Sequence, residues 1–91
     1  MISLGEKGAL LVTEDICATA VPPTINALST IGAGDSTIAG FIAAYVSGAD
    51  AAECLKVATS YGTAACLLEG TTPPTKKNVS DIYKDVKIEF I

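Results

Sequence analysis

Apolar and polar positions alternate over short runs in the first 21 residues, take helical spacing through the middle, and alternate again at the end. Residues 2–4 (Ile-Ser-Leu) and 9–13 (Ala-Leu-Leu-Val-Thr) are two apolar runs around a glycine-bounded turn at residues 5–8, which predicts a hairpin. Glu14 and Asp15 make a second polar turn, and residues 16–21 read as a third strand. Pro22 and Pro23 end that strand, because neither ring nitrogen can donate to a ladder. Residues 24–28 read as a short extended piece. A helix is predicted over residues 35–46, with Ile38, Phe41, Ile42 and Tyr45 on one face at i, i+3, i+4 and i+7. That stripe places Phe41 and Tyr45 in the core, and the small Ala39, Gly40, Ala43 and Ala44 let a neighbour approach another side. Gly48 is the expected stop.

Asp50-Ala-Ala-Glu53 opens a second helix as an Asp version of the capping box. Ala51, Cys54, Leu55, Ala58, Tyr61, Gly62, Ala65 and Leu68 keep helical spacing, and Glu69-Gly70 predicts a glycine-capped end. Residues 71–75 form a proline-stiffened loop, and Asn78 or Ser80 is the expected cap of a short helix reaching Tyr83 or Lys84. Residues 86–91 alternate as a final strand with one face buried. Strands, then two core helices, then a final strand define an α/β layer arrangement.

The chain has 91 residues, room for one small domain at most. With 49% apolar and 18% charged residues, its composition is globular and not disordered. A net charge of −4, with six Lys and no Arg, offers no basic patch for nucleic acid and no guanidinium clamp for a substrate phosphate. The absence of His removes Ser-His and Cys-His nucleophile pairs and most zinc sites, so no metal site is assigned. Cys17, Cys54 and Cys66 have no Cys-x-x-Cys spacing and read as buried, reduced thiols in a cytoplasmic protein. Glu6 and Lys7 interrupt the opening apolar run, so it does not read as a signal peptide. No run approaches the ~20 apolar residues that cross a bilayer.

Candidate chemistry concentrates in Ser29-Thr-Ile-Gly-Ala-Gly-Asp-Ser36, where a glycine-rich turn runs into the first helix. Bare glycine backbone, unpaired N–H groups of a first helical turn and the positive end of the helix dipole make an anion site there. Asp35 has two readings: an N-cap accepting from nearby N–H groups, or a base facing a substrate hydroxyl. The loop is not a P-loop, since no Lys falls between Lys7 and Lys56. Nor is it a dinucleotide fingerprint, because Thr37 stands where the third glycine belongs. Ser3, Gly5 and Gly8 form a turn whose hydroxyl and bare N–H groups can also meet phosphate oxygens. Gly62, inside a helix at a cost of about 1 kcal/mol against Ala, implies close helix packing or a flat ligand lying against it.

Residues 29–42 resemble the C-terminal signature of the ribokinase-like (PfkB) carbohydrate kinases at all fourteen positions. The resemblance implies that Gly32, Ala33 and Gly34 form an anion hole for the transferred phosphate and that Asp35 is the catalytic base. It implies nucleotide or phosphate contacts for Ser3, Gly5, Gly8 and Ser29, and an adenine pocket near Ala58, Tyr61 and Gly62, positions that equally suit helix packing. The implied fold is the C-terminal fragment of a three-layer α/β ribokinase-like fold, a single partial domain over residues 1–91 that carries nucleotide-binding parts. The implied ligands are ATP with Mg2+, whose Asn-x-x-Glu motif falls outside this chain, and a phosphorylated sugar. Ser29, Ile31-Gly32-Ala33, Ser36 and Ser3-Leu4-Gly5 look like the 1-phosphofructokinase and tagatose-6-phosphate kinase branch. The chain is then expected to be inactive alone and to need an N-terminal half or a second copy at its open strand edges. The competing expectation is a non-catalytic remnant or structural half in which Asp35 only caps a helix.

Overall fold

Four short strands form one antiparallel sheet in the computed structural model, which describes residues 1–3, 7–25, 32–68 and 74–91. The strands are β1 (Ile2–Ser3), β2 (Ala9–Val12), β3 (Cys17–Val21) and β4 (Lys87–Phe90), in the spatial order β1-β2-β3-β4. Leu11 pairs with Ala18, Ala9 with Ala20, and Ala20 in turn with Ile88. This register puts Ala9, Leu11, Ala18 and Ala20 on one buried face, as a period of two requires. Each strand lies within a residue or two of its expected span. Thr13 closes the β2–β3 turn, its Oγ1 accepting from the N–H groups of Asp15 and Ile16. Of the extended piece expected at 24–28, Thr24 and Ile25 carry no regular structure and 26–28 lie outside the described residues.

Among the described residues three helices follow β3: α1 (Ala33–Val46), α2 (Ala51–Ala65) and α3 (Lys76–Tyr83). α2 and α3 cover the buried sheet face, where Leu55, Ala64 and Ile82, with Val86 beyond α3, join the four sheet residues in one apolar cluster. Gly48 ends α1 as expected, at φ +92°. Its N–H donates to the Tyr45 carbonyl at 3.1 Å and that of Ala49 to Ala44 at 3.0 Å, the paired bonds of a Schellman motif. Asp50 caps α2, accepting from Glu53 N–H at 2.8 Å. The return arm of the expected box is absent, because the Glu53 carboxylate accepts the Tyr83 hydroxyl instead, at 2.7 and 2.8 Å. α2 stops at Ala65, and the glycine cap expected at 69–70 lies outside the described residues. The cap of α3 is Thr75, not Asn78 or Ser80: Thr75 is extended (φ −83°, ψ 165°), and Asn78 is the far arm of its capping box.

The face of α1 is the main departure from the periodicity. The helix meets α2 through its small residues, with Gly40 and Ala44 buried. A Cβ on Gly40 would lie 2.7–2.9 Å from ring and Cβ atoms of Tyr61. Ile38 (56% exposed), Ile42 (55%) and Tyr45 (71%) point outward, so Tyr45 is not a core residue in this chain. Phe41 is half-buried against the apolar cluster. Two helices gain most where their backbones come closest, and bulky side chains cannot occupy that seam.

Tyr83 ties α3 to α2 through Glu53, and the Lys56 ammonium lies 4.3 Å above its ring. The bond to Glu53, then burial, then the Glu53 charge push the Tyr83 phenol above its ordinary value of 10.0. A phenol stabilised in its protonated form contributes fully below that ordinary value and loses its contribution as pH rises through the raised one. Tyr83→Phe is therefore expected to cost about 1 kcal/mol near neutral pH. The gap between variant and parent should close above pH 10. Denaturant melts across pH check this, and a gap that widens at high pH would reverse the sign.

Candidate functional site

The first turn of α1 begins the stretch in which the candidate residues fall. Gly32 is the N-cap, in the left-handed region at φ 79°, ψ −3°. A side chain is strained at that angle, so glycine is the residue that lets the chain turn into the helix here. Intrahelical bonding starts with Ser36 N–H donating to the Gly32 carbonyl at 3.0 Å. The N–H groups of Ala33, Gly34 and Asp35 thus have no intrahelical acceptor and point out of the positive end of the helix. Gly34 and Asp35 are exposed, and a Cβ at Gly32 or Gly34 would meet nothing within 4 Å. The turn is open to solvent on that side.

Asp35 is the third residue of α1 and not its cap, so the capping interpretation fails on geometry. α1 begins two residues earlier than expected, because Gly32 supplies the terminating angle that spacing alone does not reveal. Asp35 is exposed in the same first turn as those donors. A carboxylate next to a cradle of N–H groups can accept a proton while the cradle holds an anion.

Beneath this turn lies α2. A Cβ on Gly62 would overlap Thr37 Oγ1 and would lie 3.4 Å from the Ala33 carbonyl oxygen. Thr37 Oγ1 donates to that carbonyl at 2.9 Å. Tyr61 lies against Gly40, and Ala58 is fully buried. Close helix packing therefore accounts for Gly62, and Tyr61 takes part in the same α1–α2 seam. Thr37 was not singled out by motif or periodicity; the available signal was its place one helical turn after Ala33, where a hydroxyl can reach back to an i−4 carbonyl.

Ser3 and Gly8 sit in the β1–β2 hairpin, Ser3 paired with Ala9 in the ladder and Gly8 at φ +102°. Gly5 and Ser29 lie outside the described residues. The structure thus unites Gly32, Ala33, Gly34 and Asp35 in one turn. The three cysteines are free; Cys54 is buried, and burial, then the charges of Asp50 and Glu53, push its thiol up, away from nucleophilic use. A shallow groove of about 410 Å³ lined by Val21, Pro22, Pro23, Thr24, Lys84, Asp85 and Lys87 contains none of the candidate residues. Among the described residues no helix is long and apolar enough to cross a membrane, and no group of three or more His, Cys, Asp or Glu is placed to hold a metal ion.

Residues 1–78 match the family described as pfkB family carbohydrate kinase. The chain is 34% identical over 83 residues to the ATP-dependent 6-phosphofructokinase isozyme 2 of Escherichia coli (strain K12), covering 91% of this chain and 27% of that protein. It is 33% identical over 90 residues to the 1-phosphofructokinase of Rhodobacter capsulatus, covering 99% of this chain and 28% of the relative. In structure it superimposes on phosphofructokinase-2 from Escherichia coli in complex with substrates and products, with a TM-score of 0.86, 34% identity, and coverage of 90% of this chain and 26% of that one. The chain spans about a quarter of the length of the relatives it matches. The expected ribokinase-like α/β architecture is thereby met over the matched part.

Proposed function

The chain belongs to the pfkB family of carbohydrate kinases, and on that premise we propose that it supplies the phosphate-binding turn and the catalytic base of an ATP-dependent sugar-phosphate kinase. The observation that carries this reading is the first turn of α1, which has no side-chain cap and holds the exposed Gly34 and Asp35 together with N–H groups that lack intrahelical acceptors. In the proposed reaction a hydroxyl of a phosphorylated ketohexose attacks the terminal phosphorus of ATP in line, and ADP leaves. Asp35 accepts the hydroxyl proton. The N–H groups of Gly32, Ala33 and Gly34 take up charge on the transferring group's oxygens, a fixed cradle that needs no rearrangement during transfer. Ser3, Gly5, Gly8 and Ser29 are proposed to meet the nucleotide phosphates. Ala58, Tyr61 and Gly62 remain assigned to the adenine side only through their place on α2, since the seam with α1 already explains two of them.

The residues of this turn fit a phosphoryl group, because their free donors and dipole favour an anion. They do not fit Mg2+, since a single carboxylate stands here and no acidic cluster occurs among the described residues. No step is routed through the metal that accompanies ATP. A cytoplasmic location suits ATP use and three unpaired thiols.

A second reading, a structural half completed by another polypeptide or a second copy, is favoured by the exposed Ile38, Ile42, Tyr45 and Val46 on α1. On either reading these 91 residues hold only part of a catalytic centre. The deciding experiment is an ADP-release screen of the full-length protein with fructose 1-phosphate, fructose 6-phosphate, tagatose 6-phosphate, ribose and adenosine. Turnover of a phosphorylated ketohexose is expected. A preference for ribose or adenosine would overturn the sugar-phosphate assignment, and no transfer to any acceptor would overturn the kinase reading.

A further inference from the structure

Gly62 and Thr37 lie outside the open mouth of the turn, yet both act on its backbone. Thr37 Oγ1 occupies the space that a Cβ on Gly62 would fill, and from there it donates to the Ala33 carbonyl at 2.9 Å. The Ala33 carbonyl and the Gly34 N–H belong to one rigid, planar peptide unit. Holding the carbonyl therefore sets the direction of the Gly34 N–H, on an exposed residue next to Asp35. We infer that Gly62 and Thr37 are positioning residues for phosphoryl transfer: α2 leaves a notch, the Thr37 hydroxyl fills it, and the hydroxyl aims the peptide that carries a cradle donor. The inference rests on the kinase reading for its effect on rate, but not for its effect on the peptide.

A methyl at position 62 has nowhere to go unless Thr37 rotates or α1 lifts. Rotation breaks the bond to Ala33, and lifting moves the whole first turn. With Thr37→Ala also in place the overlapping oxygen is gone, and the remaining neighbours of the added methyl, the Cβ at position 37 and the Ala33 oxygen, lie at 3.4 Å, at the edge of ordinary contact. The two substitutions should therefore be strongly non-additive.

The test is a double-substitution cycle in the full-length enzyme, with kcat taken per folded molecule well below Tm. Gly62→Ala is expected to lower kcat by about 10- to 100-fold, the order that a displaced donor costs. Thr37→Ala is expected to lower kcat by about tenfold, and Thr37→Ser, which keeps the hydroxyl, to restore it. Adding Gly62→Ala to Thr37→Ala should cost little more. Additive losses, or a lower Tm with kcat unchanged, would overturn the inference. If Gly62→Ala does not fold, the comparison of Thr37→Ala with Thr37→Ser decides alone. The Gly34 amide resonance gives a readout independent of turnover: it should shift in Thr37→Ala and return in Thr37→Ser. An unmoved resonance overturns the positioning role even in an active kinase, whereas a moved one in a protein without phosphotransfer leaves that role standing while the kinase reading falls.

Discussion

Asp35→Asn in the full-length enzyme is expected to lower kcat by about 10²- to 10⁴-fold while the KM for ATP stays level or falls. The change keeps size and polarity but removes a proton acceptor. Asp35 is exposed and makes no side-chain hydrogen bond among the described residues, so the fold should not register its loss beyond a small change in charge against the helix dipole. ATP binding should not suffer, because a neutral side chain beside a bound phosphate lowers repulsion. The rate should suffer, because the attacking hydroxyl then has no base within the turn; that range corresponds to about 3–5 kcal/mol of lost transition-state stabilisation. Steady-state kinetics with matched circular dichroism spectra check it. Turnover equal to the parent's would strip Asp35 of its role and leave the turn as an anion site without chemistry.

Gly8→Ala carries the largest expected loss of stability. Gly8 is at φ +102°, an angle that costs any L side chain, and its added Cβ would overlap the Ala20 carbonyl oxygen. The next neighbours are the Ala20 carbonyl carbon at 2.9 Å and Pro22 Cδ at 3.0 Å. These are backbone and ring atoms, so no rotamer change can relieve the contact. Relief requires β3 to move away from the turn, which breaks the Ala9–Ala20 pairing and opens the cluster that both residues line. The expected cost is about 3 kcal/mol or more, the sum of backbone strain and overpacking. Denaturant titration measures it. A loss below about 1 kcal/mol, less than strain at such an angle alone, would mean that Gly8 does not sit against β3 as described.

Several features of this chain are determined by local rules and were legible without coordinates. The alternation of Ala9, Leu11, Ala18 and Ala20 against their neighbours is enough to set strand spans and the buried face. Gly48 and Asp50 mark the end of α1 and the start of α2, because the left-handed angle and the side-chain acceptor are properties of those residues themselves. The fourteen-residue stretch at 29–42 is equally local: its resemblance to the family signature lies in the order of its residues, and it falls within the 1–78 span that matches the family.

Choices between equivalent local options were decided only in three dimensions. Periodicity shows that α1 has a bulky apolar face and a small one, but not which meets a neighbour. Gly40 and Tyr61 settle that by letting two backbones approach, and Ile38, Ile42 and Tyr45 are turned outward as a result. Asp35 and Gly32 are both acceptable caps by type. The backbone angle at Gly32 chooses, and it leaves Asp35 as the third residue of the helix. Thr75 caps α3 ahead of Asn78 because its extended backbone lets its hydroxyl oxygen accept from the Asn78 N–H, while the Asn78 side chain reaches back to the Thr75 N–H. Residue type states what a group can do; the position of the neighbouring backbone selects among those possibilities, because close packing and hydrogen-bond geometry tolerate only tenths of an ångström.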